Sequence, residues 1–171
     1  MLGLQRGTVQ VVAHSSEWAI LFAAERQRLS DALGVLALDI QHIGSTSVPG
    51  LDAKPILDIG MAIDAERDVA ACVPLLEGLG YTYRGDRGAE EGHFFDSGAD
   101  EKRTHYLHML SSTSAGWRNY LTFRDALIAD PESRDAYMRL KHELAALYAG
   151  DRGAYTAAKA AFIQRVLAAN S

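Results

Sequence analysis

His42-Ile43-Gly44-Ser45-Thr46-Ser47-Val48-Pro49-Gly50-Leu51-Asp52-Ala53-Lys54-Pro55-Ile56-Leu57-Asp58-Ile59 runs from one strand, through a turn of small residues, into a second strand that carries a single carboxylate. Gly44 lets the backbone turn where a side chain would block it. Ser45, Thr46 and Ser47 place hydroxyls and N–H groups beside that turn, a lining suited to phosphate. Asp58 falls among Ile56, Leu57, Ile59 and Met61, where a carboxylate is costly unless it is paired, hydrogen-bonded or bound to a cation. Strand alternation puts Ile56, Asp58, Gly60 and Ala62 on one face and Leu57, Ile59, Met61 and Ile63 on the other, towards the core. Small Gly60 and Ala62 are expected to leave room for a ligand beside Asp58. Two readings of Asp58 stand: a clamp hydrogen-bonded to the turn, or a metal ligand or substrate contact.

The flanking pattern continues the alternation of strands and helices. Thr8 to Ala13 alternates like a strand. Ser15 or Ser16 then caps a helix with Trp18, Leu21, Phe22, Glu25 and Leu29 near helical spacing, stopped by Gly34. Val35 to Ile43 and Ala53 to Ile63 read as the strands on either side of the hydroxyl turn. A helix opening at Asp64 or Asp68 runs to Leu79, with a kink or late start forced by Pro74. Tyr81–Arg84, His93–Asp96 and Lys102–Leu110 read as short strands separated by polar, glycine-rich turns. From Ser114 three helices follow, divided at Asp130-Pro131 and at Gly150-Asp151. The fold class is α+β: helices packed on a mixed or antiparallel sheet, with a C-terminal run of three helices.

The 171 residues fit one domain spanning 1–171. The net charge of −5 argues against broad nucleic-acid binding. A single cysteine, Cys72, excludes an intrachain disulfide and reads as a buried helical residue. No apolar run reaches membrane-span length and the N-terminus lacks a signal-peptide core, so a cytoplasmic location is expected. Nothing in the pattern specifies oligomeric state.

Other candidate residues follow from charge and spacing. In Arg103-Thr104-His105-Tyr106-Leu107-His108, alternation puts Arg103 and His105 on one face and His108 on the other. The two histidines read either as one solvent-facing and one core residue, or as a cation ligand or proton carrier working with Asp58. Lys54, four residues before Asp58, either binds an anionic group or neutralises Asp58. Arg124, Lys141, Arg84 and Lys159 could add positive charge to a cleft. His42 is either a cap of the turn or a ligand. No nucleophile elbow, Walker-type loop or structural-zinc spacing is present.

His42 to Leu51 with Lys54-Pro55-Ile56-Leu57-Asp58-Ile59 strongly resembles the GrpB family. So do Arg103-Thr104-His105, Leu107-His108, Phe123 to Leu127, Tyr155 to Ile163 and the opening Val11 to Trp18 segment. That family is similar to the nucleotidyltransferase superfamily, and the resemblance implies a nucleotidyltransferase-like mixed sheet flanked by helices. It also implies a Gly-Ser turn at Gly44-Ser45 and a first metal-binding carboxylate at Asp58. The superfamily's second acid falls on Gly60, which has no side chain, so a standard pair for Mg²⁺ cannot be built from this strand. The implied activity is nucleotidyl or phosphoryl transfer to an unknown acceptor. Asp58, His105 and His108 would be catalytic, Asp58 would hold a divalent ion, and Gly44, Ser45, Thr46, Ser47, Lys54, Arg103, Arg124 and Lys159 would bind substrate. The alternatives are a nucleotide-, coenzyme A- or anion-binding module that has lost the metal pair, and a plain scaffold. Fusion of some relatives to dephospho-coenzyme A kinase points to the same ligand classes. A second carboxylate from Asp96, Glu90 or Glu91 within about 4–6 Å of Asp58 would favour the enzyme.

Overall fold

The segment after Ser16 is helical because its apolar residues recur at helical spacing and Gly34 ends it with φ 53°. The computed structural model of the chain describes residues 1–171. Helix α1 (Glu17–Leu33) leads to β1 (Asp39–Ile43), the 3₁₀ turn 45–47 and β2 (Leu57–Ile63). Next come α2 (Val69–Gly78), β3 (Tyr81–Asp86), β4 (His93–Ala99) and β5 (Lys102–Ser111). Helices α3 (Ala115–Ala129), α4 (Pro131–Leu147) and α5 (Arg152–Ala169) close the chain. The five strands form one mixed sheet in the order β1-β2-β5-β4-β3, with β2 and β5 parallel and the other neighbours antiparallel.

Each face of the sheet has its own cover. Ile59, Met61, Ile63, Leu107, Met109 and Phe95 project onto α1 and α2, meeting Leu29, Leu33, Cys72 and Leu76 in the main core. Burying each large aliphatic side chain stabilises the fold by about 1.5–3 kcal/mol. The C-terminal helices cover the opposite face. Trp117 of α3 packs on Ala62 and Leu110, while Tyr137 of α4 and Leu127 of α3 close over Val48 and Leu51. Arg124 of α3 donates to the His42 carbonyl at 3.0 Å and to Gln41 at 2.9 Å, tying that layer to the edge strand β1.

Several sequence expectations need correction. Thr8 to Ala13 is not a strand; it makes one bridge, Val12 to Ala53. Residues 34–36 form a 3₁₀ turn, so β1 starts only at Asp39. The strand expected from Ala53 starts at Leu57, because Pro55 lacks an N–H for a ladder and the Ile56 N–H turns back to the Lys54 carbonyl. Lys54 therefore sits in a loop, not on the strand. A 3₁₀ turn over 66–68 precedes α2, but the helix starts at Val69 and Pro74 lies inside it, where it leaves the Ala70 carbonyl without its helical N–H partner.

A bulge corrects the face assigned to Arg103. Ser97 pairs with His105 and Gly98 with Arg103, leaving Thr104 as the extra residue. The extra residue turns Arg103 away from the His105 face. Its guanidinium donates to Asp96 at 2.9 Å and to the Gly98 carbonyl at 2.8 Å, and it also pairs with Asp100. His105 remains on the α1–α2 side, its ring 6.3 Å from that of Tyr81. There Glu25 accepts hydrogen bonds from Tyr81 at 2.6 Å and from Arg28 at 2.9 and 3.0 Å.

Candidate functional site

Gly44 has φ 68°, and a Cβ built on it would lie 2.6 Å from Asp58 Oδ2, so only glycine lets the turn lie against the carboxylate. Asp58 makes no hydrogen bond to that turn, which is held by its own residues. Ser47 Oγ donates to the Gly44 carbonyl at 2.5 Å, and Thr46 Oγ1 lies 2.9 Å from His42 Nε2. His42 stacks on Phe22 at 4.6 Å between ring centroids, and burial pushes its pKa down to about 4. It acts as the cap of the turn.

Beside the turn lies a cavity of about 760 Å³, within the range of small-molecule sites. Gly44, Ser45, Thr46, Lys54, Asp58, His108 and Lys159 all line it. Four other sequence candidates lie elsewhere. His105 is on the reverse face of the sheet, Arg103 is committed to Asp96 and Asp100, Arg124 ties α3 to β1, and Ser47 turns into its own loop. Glu90 and Glu91 reach the cavity from the 87–92 loop, whereas Asp96 is held by Arg84 and Arg103.

Helices α4 and α5 supply the features that the sequence reading left scattered. Tyr137 and Lys141, like Tyr155 and Lys159, stand four residues apart and share one helix face. This repeated Tyr-x-x-x-Lys spacing was a readable signal, since a lysine on the apolar stripe of a helix needs a reason. Lys159 and Lys54 both stand over the Tyr155 ring, at 4.3 and 5.6 Å from its centroid. Lys141 lies 5.1 Å from the Tyr137 ring and donates to the Asp52 carbonyl. Arg152, not singled out from the sequence, lies 4.6 Å from the Tyr106 ring.

The electrostatics are lopsided. Burial pushes Lys54 down to about 8, helped by Arg152 and opposed by Asp58. Burial and neighbouring positive charge push Lys141 and Lys159 down to about 7. Burial also holds the Tyr120, Tyr137 and Tyr155 hydroxyls protonated. The Tyr137 hydroxyl faces Ser45. His108 Nδ1 lies 3.0 Å from the Tyr120 hydroxyl and 3.2 Å from the Glu91 carbonyl, and burial lowers its pKa.

The room expected over Gly60 is not there. A Cβ on Gly60 would meet Trp117 Cζ3 at 3.0 Å and Ile43 Cγ2 at 3.2 Å. No three His, Cys, Asp or Glu side chains come together in a metal-binding group. Asp58 stands among three lysines and an arginine, and although Glu90 and Glu91 line the same cavity, these acids form no three-membered ligand group of the kind a resident divalent pair needs.

The fold and the cavity together define an α+β protein with a mixed five-stranded sheet, five helices and a lysine-rich hollow at the start of β2. Residues 8–169 match the family model described as GrpB protein, and the chain belongs to the GrpB family. It is 38% identical over 162 residues to a UPF0157 protein of Pseudomonas aeruginosa, matching 93% of this chain and 66% of that longer one. It is 33% identical over 171 residues to the glutamate-rich protein GrpB of Alkalihalophilus pseudofirmus, matching 98% of each. The crystal structure of conserved protein GrpB from Enterococcus faecalis superposes with a TM-score of 0.86 at 31% identity, covering 94% of this chain and 96% of that one. No helix is long and apolar enough to cross a membrane.

Proposed function

We propose that the chain binds a phosphorylated small molecule of nucleotide size in this cavity. Phosphate oxygens would meet Lys54, Lys141, Lys159, Arg152 and the Gly44–Thr46 turn, while the flat part of the ligand lies among the tyrosines. The observation that carries this reading is the convergence of the two Tyr-x-x-x-Lys pairs with Lys54 around one carboxylate. Lysines taken from water without carboxylate partners are costly, and an anionic guest offsets that cost. Isothermal titration with ATP, ADP, pyrophosphate and coenzyme A tests it, with saturable binding expected for at least one. Ser45→Ala is expected to weaken that binding by about 1.5–3 kcal/mol through one lost charged hydrogen bond. Equal affinity in the variant would remove the turn from the site.

A second reading, nucleotidyl or phosphoryl transfer to an unknown acceptor, is supported by Asp58 and by Glu90 and Glu91 lining the same cavity. A divalent ion in that reading would be shared by Asp58 and one of these glutamates. Detection of an ATP-derived product carrying a transferred group would favour it.

The lysine shifts give opposite pH dependences for binding and folding. Lys141 and Lys159 must be charged to hold an anion, so affinity is expected to fall as pH rises through about 7. Lys54, Arg152, Asp58 and Asp52 share their surroundings, and Lys54 follows at about 8. The unliganded fold behaves inversely. Its lysines release protons near 7 while unfolded lysines hold them to about 10.5, so these groups make it more stable as pH rises between those values. Urea melts and titrations across that window check both signs.

A further inference from the structure

We propose that the lysine cluster takes the place of divalent ions, so that the cavity binds a di- or triphosphate as a metal-free anion. This rests on the phosphate-binding reading above and goes further by naming the charge state of the guest.

Three independent features carry it. First, the place for a second acid on β2 is filled. Trp117 and Ile43 occupy the space into which a side chain at residue 60 would project, so the pair of carboxylates that would flank an ion is sterically replaced by an apolar contact. Second, the remaining acids are engaged or outnumbered. Asp96 is bound by two arginines, and Glu91 pairs with Arg87 at 3.8 Å. The 87–92 loop is seated on α3, where a Cβ on Gly116 would lie 2.6 Å from the Ala89 and Glu90 carbonyl oxygens. Asp58 thus stands among Lys54, Lys141, Lys159 and Arg152, which outnumber the acids lining the cavity. Third, the ammonium groups of Lys54 and Lys159 stand over an aromatic ring instead of against a carboxylate. Their positive charge is left available to a guest. A magnesium ion brought beside Asp58 would meet the repulsion of Lys54, Lys141, Lys159 and Arg152. A polyphosphate carrying its own negative charges would meet the counter-charge that magnesium supplies elsewhere.

Inorganic tripolyphosphate separates the possibilities, because it carries the charge without a base or sugar. The full chain is titrated below the Lys141 and Lys159 values of about 7, once in EDTA and once in excess Mg²⁺. The proposal expects saturable binding in EDTA that magnesium leaves no tighter. Mg²⁺ alone should bind no tighter to this chain than to Asp58→Asn. The Asp58→Asn variant should bind tripolyphosphate about threefold tighter or more, since one repelling charge is gone. Lys54→Gln and Lys159→Gln should each bind at least tenfold more weakly. Binding that requires Mg²⁺, or a tenfold loss in folded Asp58→Asn, overturns this inference and leaves the phosphate reading in place. Tripolyphosphate and ATP both failing to bind, with and without Mg²⁺, overturns the phosphate reading and this inference with it. If Asp58→Asn does not melt cooperatively, the comparison of EDTA with Mg²⁺ on the unaltered chain decides alone.

Discussion

Gly60→Asp, which places a second acid two residues after Asp58, is expected to destabilise this chain by about 4–8 kcal/mol. Its Cβ would press on Trp117 Cζ3 at 3.0 Å and on both branches of Ile43 at 3.2 and 3.4 Å. Trp117 is 6% exposed and wedged against Ala62 and Leu110, so the ring has little room to withdraw. Beyond the clash, the new carboxylate would be buried against the indole and the Ile43 side chain, on the same face as Asp58. A loss of that size is comparable with the whole stability of a typical domain, about 5–15 kcal/mol. Urea unfolding followed by tryptophan fluorescence should show an early or absent transition. Gly60→Ala should lose about 1–3 kcal/mol from overpacking alone. Trp117→Ala combined with Gly60→Asp should recover part of the loss, as expected of touching residues. A Gly60→Asp chain that melts with the parent would show that the space under the indole opens freely.

Lys159→Glu is expected to weaken polyphosphate binding by at least a hundredfold, about 2.7 kcal/mol or more. The substitution removes a charged hydrogen-bond donor, itself about 1.5–3 kcal/mol, and places a repelling carboxylate against the guest. The fold should not suffer. Lys159 is half-buried and costly to keep charged among Lys54, Lys141 and Arg152, so a glutamate there gains cationic neighbours. Unliganded thermal stability should therefore hold or rise while affinity collapses. A parallel fall in both would mean that Lys159 supports structure, and undiminished affinity would remove it from the site.

The helices and the sheet-forming strands were legible because their signals are local. Gly34 after an apolar helix, Asp130-Pro131 between two helices and the alternation of Leu57 to Ile63 each state their meaning within a few residues. The expected strand at Thr8 to Ala13 failed because alternation alone does not provide a partner, and only Val12 finds one. Arg103 was misassigned for a related reason. One inserted residue, Thr104, reverses the face of everything before it, and a bulge is defined by the neighbouring strand.

From sequence alone came the α+β class, the glycine turn and the placement of Asp58, Gly60 and Ala62 on one side of their strand, since these depend on backbone period and on residues close in the chain. Tertiary structure alone decided that Trp117 closes the space above Gly60 and that Lys54, Lys141 and Lys159 converge on Asp58. Those contacts join residues tens of positions apart, and packing between helix and sheet, not local preference, determines which side chain fills which space.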